Sequence, residues 1–217
     1  SPLLRAAAPL DLPAADLPVH PYVLGLWLGD GSSAGGDITI GVQDQAELIS
    51  SIQRAGYTVT DRSVPTLFGV LGLRAQLRKI RVLGNKHIPI LYRRSSVWQR
   101  RALLNGLIDS DGYVAPTGQM EYCTISPLLA AHVFELIASL GGHSTLNVNR
   151  ATLNGKDCGL RYRLSFYMRG AACLSRKALL TQDSGRPDHY LTFTRCGNAD
   201  TKCIEVDSPT HEYLCGE

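Results

Sequence analysis

The sequence predicts an α+β fold built from two related halves within one chain of 217 residues. Each half begins with a helix-forming segment that ends in Asp-Gly, first at Asp30-Gly31 and again at Asp111-Gly112. The same order of elements then follows each time: strand, helix and further strands. We therefore expect two pseudo-symmetric αββαββα subdomains, with the two leading helices paired at the centre over a saddle of antiparallel sheet.

The first subdomain is expected over residues 19–94, after an extended, proline-rich lead-in over residues 1–18. Its leading helix should begin near Pro21, because proline suits the first helical turn, and should end at Gly31. The other elements expected are a strand over 37–42, a helix over 44–55, strands near 57–62 and 67–73, and a basic helix near 74–82.

The second subdomain is expected over residues 95–198. Its leading helix has Ser95 or Ser96 as a candidate cap, and its central helix begins at Pro127 and ends before two glycines. The expected elements are helices over 95–111, 127–140 and 171–180, and strands over 119–125, 144–150 and 160–168.

Composition narrows the class of protein without identifying a partner. The net charge of +3 is too small to establish a polyanion partner, but 17 of the 22 basic residues are arginine. Arginine suits contacts to phosphate and guanine, although a GC-rich genome enriches it equally. No stretch is long and apolar enough to span a membrane, and the first residues lack the basic, apolar and small-residue order expected of a signal peptide. The six cysteines lack zinc-ligand spacing, so we expect reduced thiols in a cytoplasmic monomer.

Two nine-residue segments carry the strongest signal, and they run from Val23 to Gly31 and from Leu104 to Gly112. Both end in a small residue followed by Asp-Gly. Both also have small residues four positions apart, which a helix places on one face. Such faces let two helix backbones approach closely, and the residues expected at this seam are Gly25, Gly29, Gly106 and Ser110.

If those faces pack together, Asp30 and Asp111 emerge side by side at the same ends of the two helices. Adjacent carboxylates repel, and a divalent cation such as Mg²⁺, which prefers oxygen ligands, relieves that repulsion. A metal ion so placed can activate water for phosphodiester hydrolysis. One small-Asp-Gly segment alone would indicate only a helix that ends at glycine, whereas two matching copies favour a paired site.

These segments resemble the two LAGLIDADG motifs of homing endonucleases, specifically the type found inside inteins. The second motif departs from the family name at Asn105 and Ser110, and the first has Leu28 where the name has its first Asp. The resemblance implies two LAGLIDADG subdomains and an endonuclease that uses Mg²⁺, with Mn²⁺ able to substitute. It assigns catalysis to the last Asp of each motif and metal binding to Asp30, Asp111, Gly29 and Ser110.

A second block, Asn85 to Pro89, resembles the intein-endonuclease block that carries a functional lysine. It implies a catalytic role for Lys86, which would polarise the attacking water or the scissile phosphate. The alternative is a solvated surface lysine. The matching basic residue of the second half is either Lys177, Arg186 or absent.

The segment 201–216 resembles strands near the end of an intein splicing domain, so residues 199–217 are expected to form part of that domain. Cys203 falls where one subclass has a nucleophilic cysteine, and a structural cysteine is the equal alternative. The usual N-terminal nucleophile block and terminal His-Asn do not occur in this sequence. We therefore expect a piece of a larger precursor that does not splice by itself.

The predicted strands near 145–149 and 161–168 alternate apolar residues with residue types that hydrogen-bond base edges. An ordinary half-solvated sheet gives the same alternation. The basic clusters at 78–81, 93–94 and 100–101 are either phosphate contacts or solvated helix faces. The predicted contacts to double-stranded DNA are Thr39, Arg93, Arg94, Thr145, Asn147, Asn149, Arg161, Arg163 and Ser165.

Together these features predict a homing endonuclease that cuts both strands of a long site in the intein-free allele of its host gene. The alternatives are a LAGLIDADG-fold DNA-binding or maturase-like module without cleavage, and an inert remnant within an intein. The presence of Asp30, Asp111 and Lys86 favours the enzyme.

Overall fold

The computed structural model describes residues 3–5, 7–153, 156–183, 188–190, 194–195, 197–198, 200, 202 and 205–207. The chain forms two compact units, a large one over residues 8–184 and a small one from residues 1–7 and 185–217. In chain order, the elements are β1 (Leu3–Arg5), α1 (Pro21–Asp30), β2 (Asp37–Thr39), a 3₁₀ turn (Val42–Asp44), α2 (Gln45–Arg54), β3 (Val59–Asp61), β4 (Leu67–Val70), α3 (Leu73–Lys79), α4 (Ile90–Arg93), α5 (Val97–Asp111), β5 (Gly112–Val114), β6 (Met120–Thr124), α6 (Pro127–Ser139), β7 (Ser144–Leu153), β8 (Lys156–Phe166), α7 (Ser175–Ala178) and β9 (Asp188–Tyr190).

The large unit holds two antiparallel sheets, with strand orders β2-β4-β3 and β5-β6-β8-β7. The predicted α+β class is confirmed. The second half follows the order helix, two strands, helix, two strands, helix. In the first half, an isolated bridge between Gly31 and Ile38 stands where the second half has strand β5.

Helix α1 lies in the interior because its sequence is apolar on nearly every side. Helix α5 is also largely buried, although it carries several polar side chains into the interior. Residues 21–28 are all buried, and α5 is buried from Leu103 to Asp109. Proline occupies the first turn of α1, and a capping box between Ser96 and Gln99 starts α5. The boundaries expected for both helices are therefore close to those observed.

The glycine after each motif helix is required by close packing. Gly31 and Gly112 both adopt extended backbone conformations, which any residue could adopt. A Cβ on Gly31 would collide with the Trp27 ring, and one on Gly112 would lie 2.6 Å from the Cα of Ile108. The Asp-Gly pairs thus mark points where the chain turns tightly against the preceding helical turn.

The lead-in over residues 8–18 has no helix or strand and is bonded to the helices of the second half. Leu10 donates its N–H to the Ser139 carbonyl, and Ala15 exchanges hydrogen bonds with the Gln99 side chain. Arg100 is fully buried, where it donates to the carbonyls of Leu10 and Ser139. The interpretation of Arg100 as a phosphate contact is therefore wrong, because its guanidinium is occupied inside the fold.

The last predicted helix, over 171–180, forms only from Ser175 to Ala178. The Asp109 carboxylate accepts hydrogen bonds from the backbone N–H groups of Cys173 and Leu174. Leu174 is held in an extended conformation as the N-cap of α7. A residue distant in sequence thus delays the start of this helix.

In the small unit, β1 pairs antiparallel with β9, with Leu3 opposite Tyr190 and Arg5 opposite Asp188. This pairing was not predicted. Cys203 and Arg186 lie outside the described residues, as does most of the predicted splicing segment over 199–217. The subdomain boundaries at residues 18, 94 and 198 remain predictions.

Candidate active site

The centre of the large unit is the crossing of α1 and α5 at Gly25 and Gly106. A Cβ on Gly25 would lie 2.8 Å from the backbone nitrogen of Leu107, and still closer to the carbonyl oxygen of Leu103. A Cβ on Gly106 would lie 2.8 Å from the backbone nitrogen of Leu26. Each glycine is thus in contact with the backbone of the other helix, and no larger side chain fits without displacing it.

One turn further along, Gly29 packs against Ser110 and Asp111. A Cβ on Gly29 would lie 3.0 Å from the Ser110 Cβ and 3.1 Å from the Asp111 Cβ. The Ser110 hydroxyl donates back to the carbonyl of Gly106 at 2.9 Å, so it stays close to its own helix. This arrangement lets the last turns of both helices end together.

Asp30 and Asp111 are the final residues of α1 and α5, and their carboxylates influence each other electrostatically. Desolvation at the helix ends and repulsion by Asp30 raise the pKa of Asp111 to about 6. Desolvation also raises the pKa of Asp30, while Lys86 and Lys177 oppose that shift. Within the described part of the chain, neither carboxylate forms an ion pair.

Lys86 lies at the end of α1, where its Nζ donates to the Gly29 carbonyl at 3.2 Å. The same Nζ is 5.1 Å from the centre of the Trp27 ring, within range of a cation–π contact. Desolvation lowers the pKa of Lys86, and the Asp30 and Asp111 carboxylates oppose this. Lys86 therefore stands beside both acids with only one hydrogen bond from its ammonium group to the described residues.

Lys177 lies at the matching end of α5 and is only 5% exposed. Its Nζ donates to three carbonyl oxygens: Ile108 at 2.6 Å, Asp109 at 2.9 Å and Gly112 at 2.7 Å. The structure thus brings Lys177, one of the candidates for the basic residue of the second half, to the acidic pair. The Lys177 ammonium thus makes three hydrogen bonds, whereas the Lys86 ammonium makes one to the described residues.

Asp109 points away from the acidic pair into the interior. Its carboxylate accepts from the Tyr22 hydroxyl at 2.8 Å and from the N–H groups of Cys173 and Leu174. Desolvation raises the pKa of Asp109, and these hydrogen bonds oppose the shift. Asp109 therefore caps the backbone of a neighbouring segment.

The donor set at the helix ends suits a hard divalent cation. Among the described residues, no group of three or more His, Cys, Asp or Glu side chains could hold a metal. Two carboxylates are nevertheless close enough for one to raise the pKa of the other. Mg²⁺ commonly uses one or two carboxylates, completing its shell with water and substrate phosphate. Asp30 and Asp111 fit that pattern.

The four-stranded sheet presents one apolar and one polar face. Met120, Tyr122, Leu164 and Phe166 are buried on the first face. Directly opposed residues of antiparallel strands share a face, and the register aligns a second set on the other face. These pairs are Glu121 with Ser165, Ser165 with Thr145, Cys123 with Arg163, Arg163 with Asn147, and Arg161 with Asn149.

This polar face, defined by the pairs above, contains six of the nine predicted DNA contacts. Thr145, Asn147 and Asn149 are exposed along the edge strand β7. The Nε atoms of Arg161 and Arg163 are buried and lack a hydrogen-bond partner among the described residues. The Arg163 Nε nevertheless lies 3.7 Å from a Glu121 carboxylate oxygen and forms an ion pair with it. Buried donors normally find partners, so Arg161 is the arginine with an unpartnered donor on this face.

The other three predicted contacts lie elsewhere. Thr39 is exposed at the end of β2 in the first sheet. Arg93 and Arg94 both form ion pairs with Glu135 of α6, and the Arg93 side chain is only 16% exposed. A DNA contact by Arg93 would compete with that pair, and its DNA-binding role stays a prediction.

Sequence reasoning missed one basic residue on the first sheet. Arg62 donates twice to the Asp37 carboxylate, at 3.0 and 2.7 Å. Its guanidinium covers Gly69, where a Cβ would collide with it. The alternation of Thr60 and Arg62 in the predicted strand near 57–62 is the pattern that could have indicated this residue.

A comparison with known protein families matches the second half of the chain. Residues 98–169 match the family model described as a LAGLIDADG-like domain. The matched span contains the second motif, Asp111 and the strands of the polar face. The predicted LAGLIDADG resemblance is thereby confirmed for this part of the chain.

Over 216 residues, the chain is 35% identical to a replicative DNA helicase DnaB from Mycobacterium intracellulare. The match covers 96% of this chain and 35% of that protein, so the chain spans about a third of the length of this curated relative. A solved structure of I-DmoI in complex with DNA and Ca shares 14% identity at a TM-score of 0.46, covering 71% of this chain and 85% of that chain. No helix among the described residues is long and apolar enough to cross a membrane.

Proposed function

We propose that this chain is a homing endonuclease domain carried within an intein and that it hydrolyses both strands of a long DNA site. The observation that carries the proposal is the glycine-lined crossing of α1 and α5, which ends both helices together at Asp30 and Asp111. A carboxylate pair beside Lys86 suits phosphodiester hydrolysis better than it suits a purely structural role.

In this proposal Asp30 and Asp111 hold Mg²⁺, for which Mn²⁺ can substitute, with the backbone at Gly29 and Ser110 completing the protein side of the site. When bound, the cation would supply Lewis acidity toward water and phosphate. The Asp30 and Asp111 carboxylates would hold the cation at the helix ends, and its positive charge would relieve the repulsion between them. The Lys86 ammonium orients the attacking water or the scissile phosphate through N–H groups not bonded to the described residues.

The polar face supplies the surface for double-stranded DNA. Exposed asparagine and threonine side chains, together with Arg161 and Arg163, are the groups that read base edges in the major groove. Exposed basic residues around this face and on α3 would add phosphate contacts, which give affinity without sequence information.

The DnaB relative supports the larger context of the proposal. A match across nearly all of this chain but only a third of the helicase is the pattern of an insertion within a longer polypeptide. The β1–β9 pairing supports it too, because the chain leaves and re-enters the small unit at neighbouring strands. The proposed target is the corresponding helicase gene without the insertion, and splicing remains a property of the larger precursor.

The test is cleavage of that target. The protein is incubated with DNA encoding the helicase with the matched region deleted, with Mg²⁺ or with EDTA, beside a scrambled duplex. Mg²⁺-dependent cutting of the deleted junction alone supports the proposal. Specific binding without cutting would identify a DNA-binding or maturase-like module instead, and neither activity would identify an inert remnant.

DNA affinity is expected to fall steeply with salt, because each phosphate contact releases counterions. Replacing both Arg74 and Arg78, the exposed arginines of α3, with Gln should weaken binding and make the slope of log K against log salt less steep by about one to two. Fluorescence anisotropy over a salt series measures this, and Arg54→Gln on α2 is the matched control. An unchanged slope and affinity would place these arginines away from the DNA.

Lys86→Ala is expected to slow one strand more than the other, so that nicked DNA accumulates. Lys86 makes one hydrogen bond at the end of α1, whereas Lys177 makes three hydrogen bonds to backbone carbonyls at the end of α5. End-labelled duplexes cut with each variant give the two strand rates separately, and Arg54→Ala on α2 serves as the control for loss of an exposed basic side chain. Equal slowing of both strands would contradict the asymmetry, and no slowing would make Lys86 a surface lysine.

A further inference from the structure

Helix α7 is only four residues long, yet three consecutive residues of it bond to two separate parts of the large unit. Ser175 donates its N–H and hydroxyl to Glu47, at 2.8 and 2.9 Å. Arg176 forms two 2.7 Å hydrogen bonds with the two oxygens of Asp44. Lys177 bonds to the end of α5. This helix therefore connects the start of α2, in the first half, to the catalytic end of the second half.

The bonding of Lys177 leaves its ammonium group no free donor. An ammonium has three N–H groups, and three carbonyl oxygens accept from it at 2.6 to 2.9 Å. Those carbonyls belong to Ile108, Asp109 and Gly112, which flank Asp111 on both sides. The last carbonyls of a helix lack intrahelical partners, and a buried cation there satisfies them and the helix dipole.

We propose that Lys177 is a positioning residue that fixes the last turn of α5 and thereby aims the Asp111 carboxylate. The Asp44–Arg176 ion pair holds it in place from the other half of the molecule. The inference rests on the proposed endonuclease function, and it assigns Lys177 a role different from that of Lys86. Orientation of water or phosphate falls to Lys86, while Lys177 acts through Asp111.

The Asp44 carboxylate is well placed to hold Arg176. Asp44 is buried and precedes the first residue of α2, and its pKa is lowered by the hydrogen bonds from Arg176. The partner guanidinium is bidentate, which fixes its direction. Loss of the Asp44–Arg176 pair should therefore let α7 move. A substitution of Asp44 tests this without replacing Lys177 itself.

The first experiment needs no enzymatic activity. Native protein is treated briefly with an amine-acetylating reagent, and modification at each lysine is measured by mass spectrometry. Lys177 should react at least about tenfold more slowly than the exposed Lys79, because its Nζ is buried and bonded. Asp44→Asn should increase the Lys177 rate, whereas Glu135→Gln, which breaks the pairs with Arg93 and Arg94, should not.

Acetylation of Lys177 as fast as that of Lys79 in the unaltered protein would overturn the inference. An Asp44→Asn variant in which Lys177 stays fully protected would also overturn it, because the Asp44–Arg176 ion pair would then not be what keeps Lys177 in place. Both outcomes are independent of whether the protein cuts DNA, so failure of this proposal is distinguishable from failure of the proposed function.

The second experiment measures strand-resolved cleavage by Lys177→Met and, as a milder variant that keeps the lysine, Asp44→Asn. Both should slow one strand, by about tenfold to a hundredfold for Lys177→Met, because a poorly aimed catalytic group is costly. The pH profile of the remaining activity should keep its shape, since Lys177 transfers no proton. A changed pH profile in Lys177→Met would show direct participation and overturn the positioning role, as would unchanged strand rates in both variants.

Discussion

Asp30→Asn and Asp111→Asn are each expected to lower double-strand cleavage by roughly a hundredfold to a thousandfold or more while leaving DNA binding nearly intact. Each substitution removes one negative charge from the pair that would hold the divalent cation. The amide keeps the shape of the carboxylate, so the crossing of α1 and α5 should remain. Plasmid linearisation in Mg²⁺ and anisotropy binding in Ca²⁺ measure the two properties separately.

The matched control is Asp11→Asn, which neutralises an exposed carboxylate in the lead-in. It should cut at the rate of the unaltered protein. Cutting at that same rate by either active-site variant would refute the two-carboxylate site. Loss of DNA binding together with cleavage would instead mean that these acids support the fold of the binding surface.

Gly25→Ala or Gly106→Ala is expected to lower the free energy of unfolding by about 1–3 kcal/mol or more, with activity lost in parallel. A single methyl group at either position would meet backbone atoms of the opposite helix, which cannot move aside as a flexible side chain can. The helices would have to separate, which would also spread the two carboxylates. Leucine at either position should be worse than alanine.

Urea denaturation followed by circular dichroism measures this loss, with Gly41→Ala as the control. Gly41 has no atom within 4 Å of the added methyl group and adopts an extended conformation. Its substitution should leave stability within about 0.5 kcal/mol. Equal stability of the Gly25, Gly106 and Gly41 variants would contradict a close crossing.

The elements that the sequence predicted well are those with a strong local pattern. Pro21, the small residues of the motifs and the capping serine at position 96 each indicate a helix boundary or a face through local geometry. The alternation along residues 161–166 predicted the two faces of β8, because strand residues point alternately to opposite sides. These parts of the candidate site needed no knowledge of distant neighbours.

The parts that sequence reasoning missed depend on contacts between distant residues. The three acceptors of Lys177 are backbone carbonyls 65 to 69 positions away, and carbonyls have no residue-type signature. The shortened α7 likewise depends on Asp109, far away on α5. The β1–β9 pair joins segments separated by the whole large unit, so no local pattern in the chain could indicate it.

That strand pair also bears on how the chain leaves and re-enters the small unit. Because β1 and β9 are hydrogen-bonded neighbours, the polypeptide between them departs and returns at almost the same point. The entropic cost of closing a loop grows only with the logarithm of its length. Since each doubling of the loop costs only about 0.6 kcal/mol, even a connection this long adds only a few kcal/mol to the cost of pairing β1 with β9. The pairing of β1 with β9 thus tolerates a compact unit of this size in the chain between the two strands.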